Sequence, residues 1–361
     1  MKKYISIIMI VYSFATFAQK NEPLKIGIIG LSHSHVHWLL GNKYEDVEIV
    51  GIVETNKDLA KRYMDQYQMS MDLVYDSMDE MIRKTKPEAV TAFGSIYEHL
   101  EVVQKCAPLG IHVMVEKPLA VSLEHALKMK KLAEEHGIYL LTNYETTWYA
   151  TNHKIYEMVQ QDAIGDLRKI LVNDGHEGPI EIGVNKEFLD WLLDPVLNGG
   201  GALMDFGCYG ANLITWLMNG KRPSSVRAIT QQIKPVLYPD VDDDATIILQ
   251  YENMQGIIQA SWNWPFSRKD MEVYGRTGYL IATNGTDMRL RLQNDKFEVN
   301  EKIKARNEPL DNPFSYFSAI IRGTVKMEDY DPTSLQNNMI VMEILEAAKE
   351  SARTSKTVYL K

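Results

Sequence analysis

The chain has 361 residues, 45% of them hydrophobic, with 39 basic and 48 acidic side chains and a formal charge of −9. The excess of carboxylates argues against a nucleic-acid or anionic-membrane partner, and two cysteines in helix-patterned segments, Cys106 and Cys208, cannot supply a disulfide framework. The length favours two domains with ordinary hydrophobic cores.

Lys2 and Lys3, the apolar run Tyr4 to Phe14 and the small-residue stretch Ala15-Thr16-Phe17-Ala18 follow the order of a secretory signal peptide, so residues 1–18 are expected to be cleaved after Ala18. The run is shorter than the roughly 20 apolar residues that span a bilayer. No cysteine near the cleavage point offers a lipid anchor, and the basic pair is Lys-Lys rather than twin Arg. The expected mature protein is periplasmic or secreted, has no membrane segment, and carries 39 − 2 = 37 basic against 48 acidic residues, a charge of −11.

Leu24 to Ile29 is a buried-strand pattern that runs into the turn Gly30-Leu31-Ser32-His33-Ser34-His35 and an apolar helix start at Val36 to Leu40. Strand, tight turn and helix form the entry of a nucleotide-binding βαβ unit, although only Gly30 of the glycine fingerprint is kept and Ser32 and His35 stand at the second and third positions. Val47 to Val53 is a second strand that ends in Glu54, where a carboxylate would accept hydrogen bonds from an adenosine ribose and repel a 2′-phosphate. The expected cofactor is therefore NAD, with NADP disfavoured. Helix Lys57 to Gln66, strand Ala89 to Phe93, helix Glu98 to Leu109, strand His112 to Glu116, helix Leu123 to His136 and strand Tyr139 to Thr142 continue the alternation. This predicts an α/β, Rossmann-type, doubly wound parallel sheet over residues 19–145. Phe93 and Glu116-Lys117-Pro118 fall at carboxyl ends of neighbouring strands, where such sheets bind ligands. Proline restricts the chain on both sides, so Lys117 is held in place.

The Gly30 turn, Glu54, His99 and the run Gly110-Ile111-His112-Val113-Met114-Val115-Glu116-Lys117-Pro118-Leu119-Ala120 resemble the Gfo/Idh/MocA family, named for glucose-fructose oxidoreductase and inositol dehydrogenase. The segment Gly199-Gly200-Gly201-Ala202-Leu203-Met204-Asp205-Phe206-Gly207-Cys208-Tyr209 is similar to that family's second signature, as are Asp244 to Tyr251, Met271 to Gly278 and Ser351 to Thr354. The resemblance covers residues 24–361. It implies an NAD-dependent oxidoreductase acting on CH–OH groups, with Gly30, Ser32, His33, His35, Glu54, Phe93, His99, Glu116 and Lys117 toward the cofactor. For residues 146–361 it implies an α/β substrate-binding and oligomerisation domain on a large, mostly antiparallel sheet. The strand patterns at Ile170 to Asp174, Ser225 to Ile233, Ala245 to Tyr251, Gln255 to Trp262 and Lys269 to Tyr274 agree. A homo-oligomer, dimer or tetramer, is the family's usual state.

Alcohol oxidation needs a hydride acceptor, a base for the hydroxyl proton and a positive charge for the developing alkoxide. The resemblance assigns this work to Lys117, Asp205 and Tyr209, without saying which of Lys117 and Tyr209 takes the proton. Most members have His at the position of Tyr209, and glucose-fructose oxidoreductase is similar to this chain in having Tyr. Asp205 and Tyr209 are four apart, so on one helix they would share a face, and a nearby Lys117 ammonium would have to lower a phenol whose ordinary pKa is about 10. His33, His35 and His37 are spaced by two, which on a helix excludes a shared face, so no metal is expected. His33 or His35 is expected to touch cofactor or substrate instead. Tyr144 and Trp148 after the last strand, and His176 and Glu177 in a polar glycine-rich loop, are candidate contacts to sugar hydroxyls, with turn chemistry the alternative for the loop pair. Trp262 and Trp264 either stack on a sugar ring or belong to the sheet core or a subunit interface.

Outside the cytoplasm there is no evident pool of free NAD, so tight retention is expected, with the cofactor recycled by a second carbohydrate. The leading expectation is oxidation of a ring hydroxyl, at C3, of a sugar or glycoside. An NAD-dependent glycosidase with transient C3 oxidation and elimination is the first alternative. A non-catalytic carbohydrate-binding protein is the second, and keeping both Lys117 and Tyr209 speaks against it.

Overall fold

The computed structural model describes residues 22–360, and the expected signal peptide lies outside them. The first sheet takes β1 (Leu24–Ile29), β2 (Val47–Val53), β3 (Val74–Tyr75), β4 (Ala89–Ala92), β5 (His112–Glu116) and β6 (Leu140–Asn143). Its order is β3-β2-β1-β4-β5-β6 and every pairing is parallel. The inner strands are near-continuous apolar runs because helices cover both faces. Those helices are α1 (Val36–Leu40), α2 (Lys57–Tyr67), α3 (Met78–Thr85), α4 (His99–Cys106) and α5 (Leu123–His136). Asn56, Ser77 and Ser122 accept first-turn N–H groups at the starts of α2, α3 and α5. The helix expected over 98–109 is interrupted: 3-10 turns at Ile96–Glu98 and Ala107–Leu109 flank α4, since Pro108 lacks an N–H and Gly110 turns the chain at φ 69.

The second sheet follows α6 (Ala150–Gln160) and is formed by β7 (Leu167–Gly175), β8 (Ser225–Gln231), β9 (Asp244–Gln250), β10 (Gln255–Ser261), β11 (Arg268–Gly275), β12 (Tyr279–Ala282), β13 (Asp287–Arg291), β14 (Val299–Lys302) and β15 (Val358–Tyr359). The order is β14-β13-β12-β11-β7-β10-β9-β8-β15, antiparallel except for β7 with β10. Between β7 and β8 come α7 (Lys186–Leu192), α8 (Ala202–Asp205) and α9 (Gly207–Leu217). Every residue of α9 is buried, and a Cβ at Gly210 would sit 2.5 Å from Ile258 Cγ2, so glycine lets this helix lie directly on β10.

Two late helices tie the halves together. α11 (Leu335–Thr354) packs on α9 and β8, whereas α10 (Pro313–Ile321) returns to the first sheet. Phe314, Phe317 and Ile320 join the core of Leu24, Ile26 and Leu39, each burial contributing about 1.5–3 kcal/mol. Ser315 Oγ donates to Asp46 Oδ1 at 3.0 Å, and Arg322 pairs with Glu88. A division at residue 145 therefore does not separate the cores, because chain from beyond it completes the first one.

Candidate active site

Two regions meet where the carboxyl ends of the first sheet face β7, β10 and β11. The outer one is a groove of about 740 Å³ lined by Gly30, Ser32, Glu54, Gly94, His99 and Trp191, among others. Gly30 holds φ +77, and a Cβ there would lie 2.7 Å from the backbone N of Gly94, so the turn after β1 approaches the end of β4 as only glycine allows. Glu54 accepts from Leu31 N at 3.0 Å and Asn56 N at 2.8 Å, which leaves part of a half-buried carboxylate's capacity for a ligand. His99 Nδ1 donates to Leu119 O at 3.1 Å, while its buried Nε2 has no partner. Among the described residues no acceptor meets the N–H of Ser32 or Ser34. A ribose-binding carboxylate, two free turn amides and an orphaned imidazole nitrogen fit the adenosine and phosphate parts of a dinucleotide.

Phe93 enters this region through its backbone only. Its carbonyl accepts from Ser32 Oγ (3.2 Å) and His33 N (2.9 Å), while its side chain is core, which corrects its place among cofactor contacts. Trp191, unforeseen in the sequence, donates Nε1 to Ser32 Oγ at 2.9 Å and so brings α7 down onto the turn.

The inner region is closed. Lys117, 6% exposed, follows β5 with a cis bond to Pro118, donates to the Asp205 backbone carbonyl at 3.0 Å and pairs with the Asp205 carboxylate. Trp262 Nε1 donates to the other carboxylate oxygen at 3.0 Å. This indole is fully buried and holds Asp205, so it is not a stacking surface for sugar. Burial alone would raise the Asp205 carboxyl, but the Lys117 ammonium outweighs it and holds Asp205 below the usual range; burial opposes the Lys117 charge, and Asp205 raises it. The glycine-rich signature serves the same pair. A Cβ at Gly201 would lie 1.8 Å from Asp242 O, and the Asp242 carboxylate accepts from Gly201 N and Leu203 N at the start of α8.

Asp205 and Tyr209 do not share a helix. The chain breaks at Phe206 (φ −109, ψ −28), between α8 and α9, and the two side chains bracket Lys117, whose Nζ lies 5.1 Å from the Tyr209 ring centre. The expected lowering of the phenol is also corrected. Burial, then Glu145 and Asp174, push Tyr209 well above its ordinary value, because the Lys117 charge is already matched by Asp205.

Around this pair stand Glu145, in the stretch after the last strand of the first sheet, and two groups that the sequence did not single out, Asp174 and Lys269. Asp174, at the end of β7, is fully buried and neither carboxylate oxygen has a partner; burial drives its pKa up, only partly offset by Lys269. Lys269, opposite it on β11, pairs with Glu145, which also accepts from Tyr149 OH at 2.6 Å. A strand pattern with buried positions at 170, 172 and 174 carries the signal for Asp174: an acid at a core parity. His176 accepts from Gly178 N at 2.9 Å and packs edge-on against Phe206, and Glu177 keeps one buried unpartnered oxygen, so both remain near the cluster. Trp264 also leaves Nε1 buried without a partner, beneath the Arg268 guanidinium.

Two expected substrate contacts are internal. Tyr144 donates to Asn338 Oδ1 of α11 at 2.9 Å and packs edge-on under Tyr209, and Trp148 donates Nε1 to Asn143 Oδ1 at 3.0 Å. Both hydrogen-bonding groups are thus committed within the protein. The histidines also differ from the helical reading. His33 and His35 precede the five-residue α1 and converge on Glu116, within 4.8 Å of one another, while His37 turns away to Tyr67 OH at 2.7 Å. Helical spacing therefore does not keep His33 and His35 apart.

Comparison with known proteins agrees with this architecture. Residues 24–144 match the family model "Oxidoreductase family, NAD-binding Rossmann fold", and residues 152–281 match the GFO/IDH/MocA C-terminal domain. Trans-1,2-dihydrobenzene-1,2-diol dehydrogenase of Xenopus tropicalis is 24% identical over 312 residues, covering 84% of this chain and 89% of that protein. Aldose-aldose oxidoreductase from Caulobacter crescentus, solved with glycerol, superposes with a TM-score of 0.79 at 22% identity over 94% of this chain and 100% of that one. An inositol dehydrogenase homolog from Azotobacter vinelandii, solved with NAD+, gives 0.81 at 16% identity over 94% and 98%. With the two matched domains together spanning well over half of its length, the chain belongs to the Gfo/Idh/MocA family of oxidoreductases and carries an NAD-binding Rossmann domain.

Proposed function

We propose that the protein oxidises a ring hydroxyl, at C3, of a sugar or glycoside to a ketone, and that the NAD it uses stays bound and is recycled by a second carbohydrate. The observation that carries this is the buried Lys117–Asp205 pair beside an unpartnered Asp174, set between the nucleotide groove and the second sheet. Glu54, the Ser32 and Ser34 amides and His99 would hold the dinucleotide, which when bound supplies the hydride acceptor. Lys117 stabilises negative charge at the substrate oxygen, and Asp205 with Trp262 fixes its ammonium. Asp174, whose carboxyl burial pushes up and whose two oxygens have no partner, hydrogen-bonds a substrate hydroxyl, and Lys269 with Glu145 binds a neighbouring one at the more exposed rim. Myo-inositol, bound with NADH in an inositol dehydrogenase homolog from Azotobacter vinelandii that superposes with a TM-score of 0.79, supports a polyol-like substrate class.

The signal-peptide pattern at residues 1–18 supports an exported enzyme, for which cofactor retention follows. The half-exposed face of the second sheet, with Ile248, Ile257 and Leu171, supports a homo-oligomer. One observation favours the glycosidase alternative: Asp174 is buried with both oxygens unpartnered, and burial raises its carboxyl in the direction that suits protonation of a leaving group.

Purified protein is incubated with a chromogenic glycoside, with and without a keto-sugar acceptor, and aglycone, keto product and nucleotide released on denaturation are measured. Keto product that needs the acceptor supports the oxidoreductase. Aglycone without acceptor supports the glycosidase, and absence of both nucleotide and turnover contradicts either.

A further inference from the structure

Trp262 anchors the Lys117–Asp205 pair, and Trp262 is itself held from outside the cluster, by the loop 232–243 that joins β8 to β9. We propose that Lys234 in this loop is a positioning residue for the reaction: its ammonium fixes Trp262, and through the indole the Asp205 carboxylate, to the loop that carries His176 and Glu177. This rests on the oxidoreductase reading.

A lysine ammonium has three hydrogens, and here each has an acceptor. Lys234 Nζ donates to Trp262 O at 2.7 Å and to Glu177 O at 2.6 Å, and it pairs with the Glu181 carboxylate. Among the described residues no other donor meets either carbonyl. A neutral side chain at this position would leave both without a partner.

Trp262 is gripped at each of its polar groups. Its backbone N donates to Asp243 O at 2.8 Å, and the buried Asp243 carboxylate accepts from Ile233 N at 2.8 Å and Lys234 N at 2.6 Å. Asp243 therefore sets the backbone of 233–234 against Trp262, and the Lys234 side chain takes the carbonyl. The indole Nε1 is left for Asp205 Oδ2, at 3.0 Å. Tyr238 packs its ring against the indole, 5.0 Å between centres, and donates its hydroxyl to Glu181. A Cβ at Gly178 would lie 2.4 Å from Tyr238 OH and 2.2 Å from Glu181 Oε2, so the residue after Glu177 has to be small for these groups to meet.

The other end of the connection is the substrate loop. His176 N donates to Ser261 O at 3.1 Å and Trp264 N to His176 O at 3.2 Å, so the loop is stitched to the chain on both sides of Trp262. Lys234 touches no reacting group. It acts by holding Trp262 and Glu177 in one register, and a displacement of about 1 Å passed on to a reacting group costs about a hundredfold in rate.

The test is a double-mutant cycle on the purified holoenzyme, with a chromogenic glucoside and a keto-sugar acceptor and rates expressed per bound NAD. Lys234→Met and Trp262→Phe should each lower kcat by about tenfold to a hundredfold. The double variant should be no slower than the slower single one, because both changes break the same chain of contacts. Lys234→Arg, which keeps the charge and the donors, should recover part of the loss. Lys234→Gln is carried beside Lys234→Met and read by the same criteria, so that failure of one to fold leaves the cycle intact. Independently of turnover, the Trp262 indole N–H, assigned by its absence in Trp262→Phe, should exchange with solvent about tenfold faster in Lys234→Met than in wild type. Losses that multiply in the double variant, a Lys234→Met enzyme as fast as wild type, or an unchanged indole exchange rate would each overturn the assignment. A wild type inactive with every glycoside tried would instead overturn the oxidoreductase reading, and the indole exchange would still decide Lys234.

Discussion

The groove over the ends of β1, β2 and β4 is open, and its polar groups keep unused hydrogen-bonding capacity; the cluster beyond β5 is closed, and most of its charges are paired. Glu54, His99 and the turn amides wait for a ligand that the fold class already implies. Lys117, Asp205, Glu116 and His35 are instead fixed by one another, by Trp262 and by Asn143, contributed by both sheets. A generic ligand is met by a preformed surface. Chemistry is met by a buried electrostatic frame whose groups hold their charge states before substrate arrives.

The largest effect should come from breaking that frame. Lys117→Met should abolish turnover, by about a thousandfold or more, and should also destabilise the fold by roughly 3–5 kcal/mol, since Asp205 is left buried and unpaired. The double variant Lys117→Met/Asp205→Leu should regain much of the stability and none of the activity, as thermal melts and product assays would show. A single variant that is inactive but as stable as wild type would mean that the pair is not a frame.

Asp174 sharpens the contrast, because both of its buried carboxylate oxygens lack a partner among the described residues. Asp174→Asn should raise KM by about tenfold to a hundredfold through loss of a buried contact, yet increase stability. The sign follows from proton binding. Burial raises the folded pKa, so above about pH 3.9 the unfolded chain ionises while the folded protein keeps its proton. Wild type thus loses about 1.4 kcal/mol per pH unit relative to the variant until the folded pKa is reached. A stability gap between the two that shrinks as pH rises from 4 would contradict a neutral Asp174.

In the open groove the smallest effect is expected. Glu54→Gln should weaken retention of NAD by about tenfold, one charge-assisted contact to ribose, without shifting the melting temperature by more than a few degrees. Nucleotide remaining after dialysis reports it.

The open region was legible in the sequence and the closed one only in part, for a physical reason. Strand, Gly30 and Glu54 lie within one local βαβ unit, so spacing alone places them. Lys117 and Asp205 were visible as motifs, but their pairing joins residues 88 apart, and the break at Phe206 made the four-residue spacing of Asp205 and Tyr209 misleading. Tyr144 and Trp148 sat in the expected stretch, yet whether their hydrogen bonds point inward depends on Asn338 and Asn143, which periodicity does not see. The late return of α10 to the first sheet is a topological fact of the same kind.

The most direct test of the central claim is spectroscopic. Purified protein, with no nucleotide added, is mixed with a glucoside and the near-ultraviolet absorbance of reduced nicotinamide is followed, then a keto-sugar is added. A rise of one equivalent per chain that the keto-sugar reverses is the predicted result. Protein that releases no nucleotide on denaturation, or holds NAD that no sugar reduces, would contradict it.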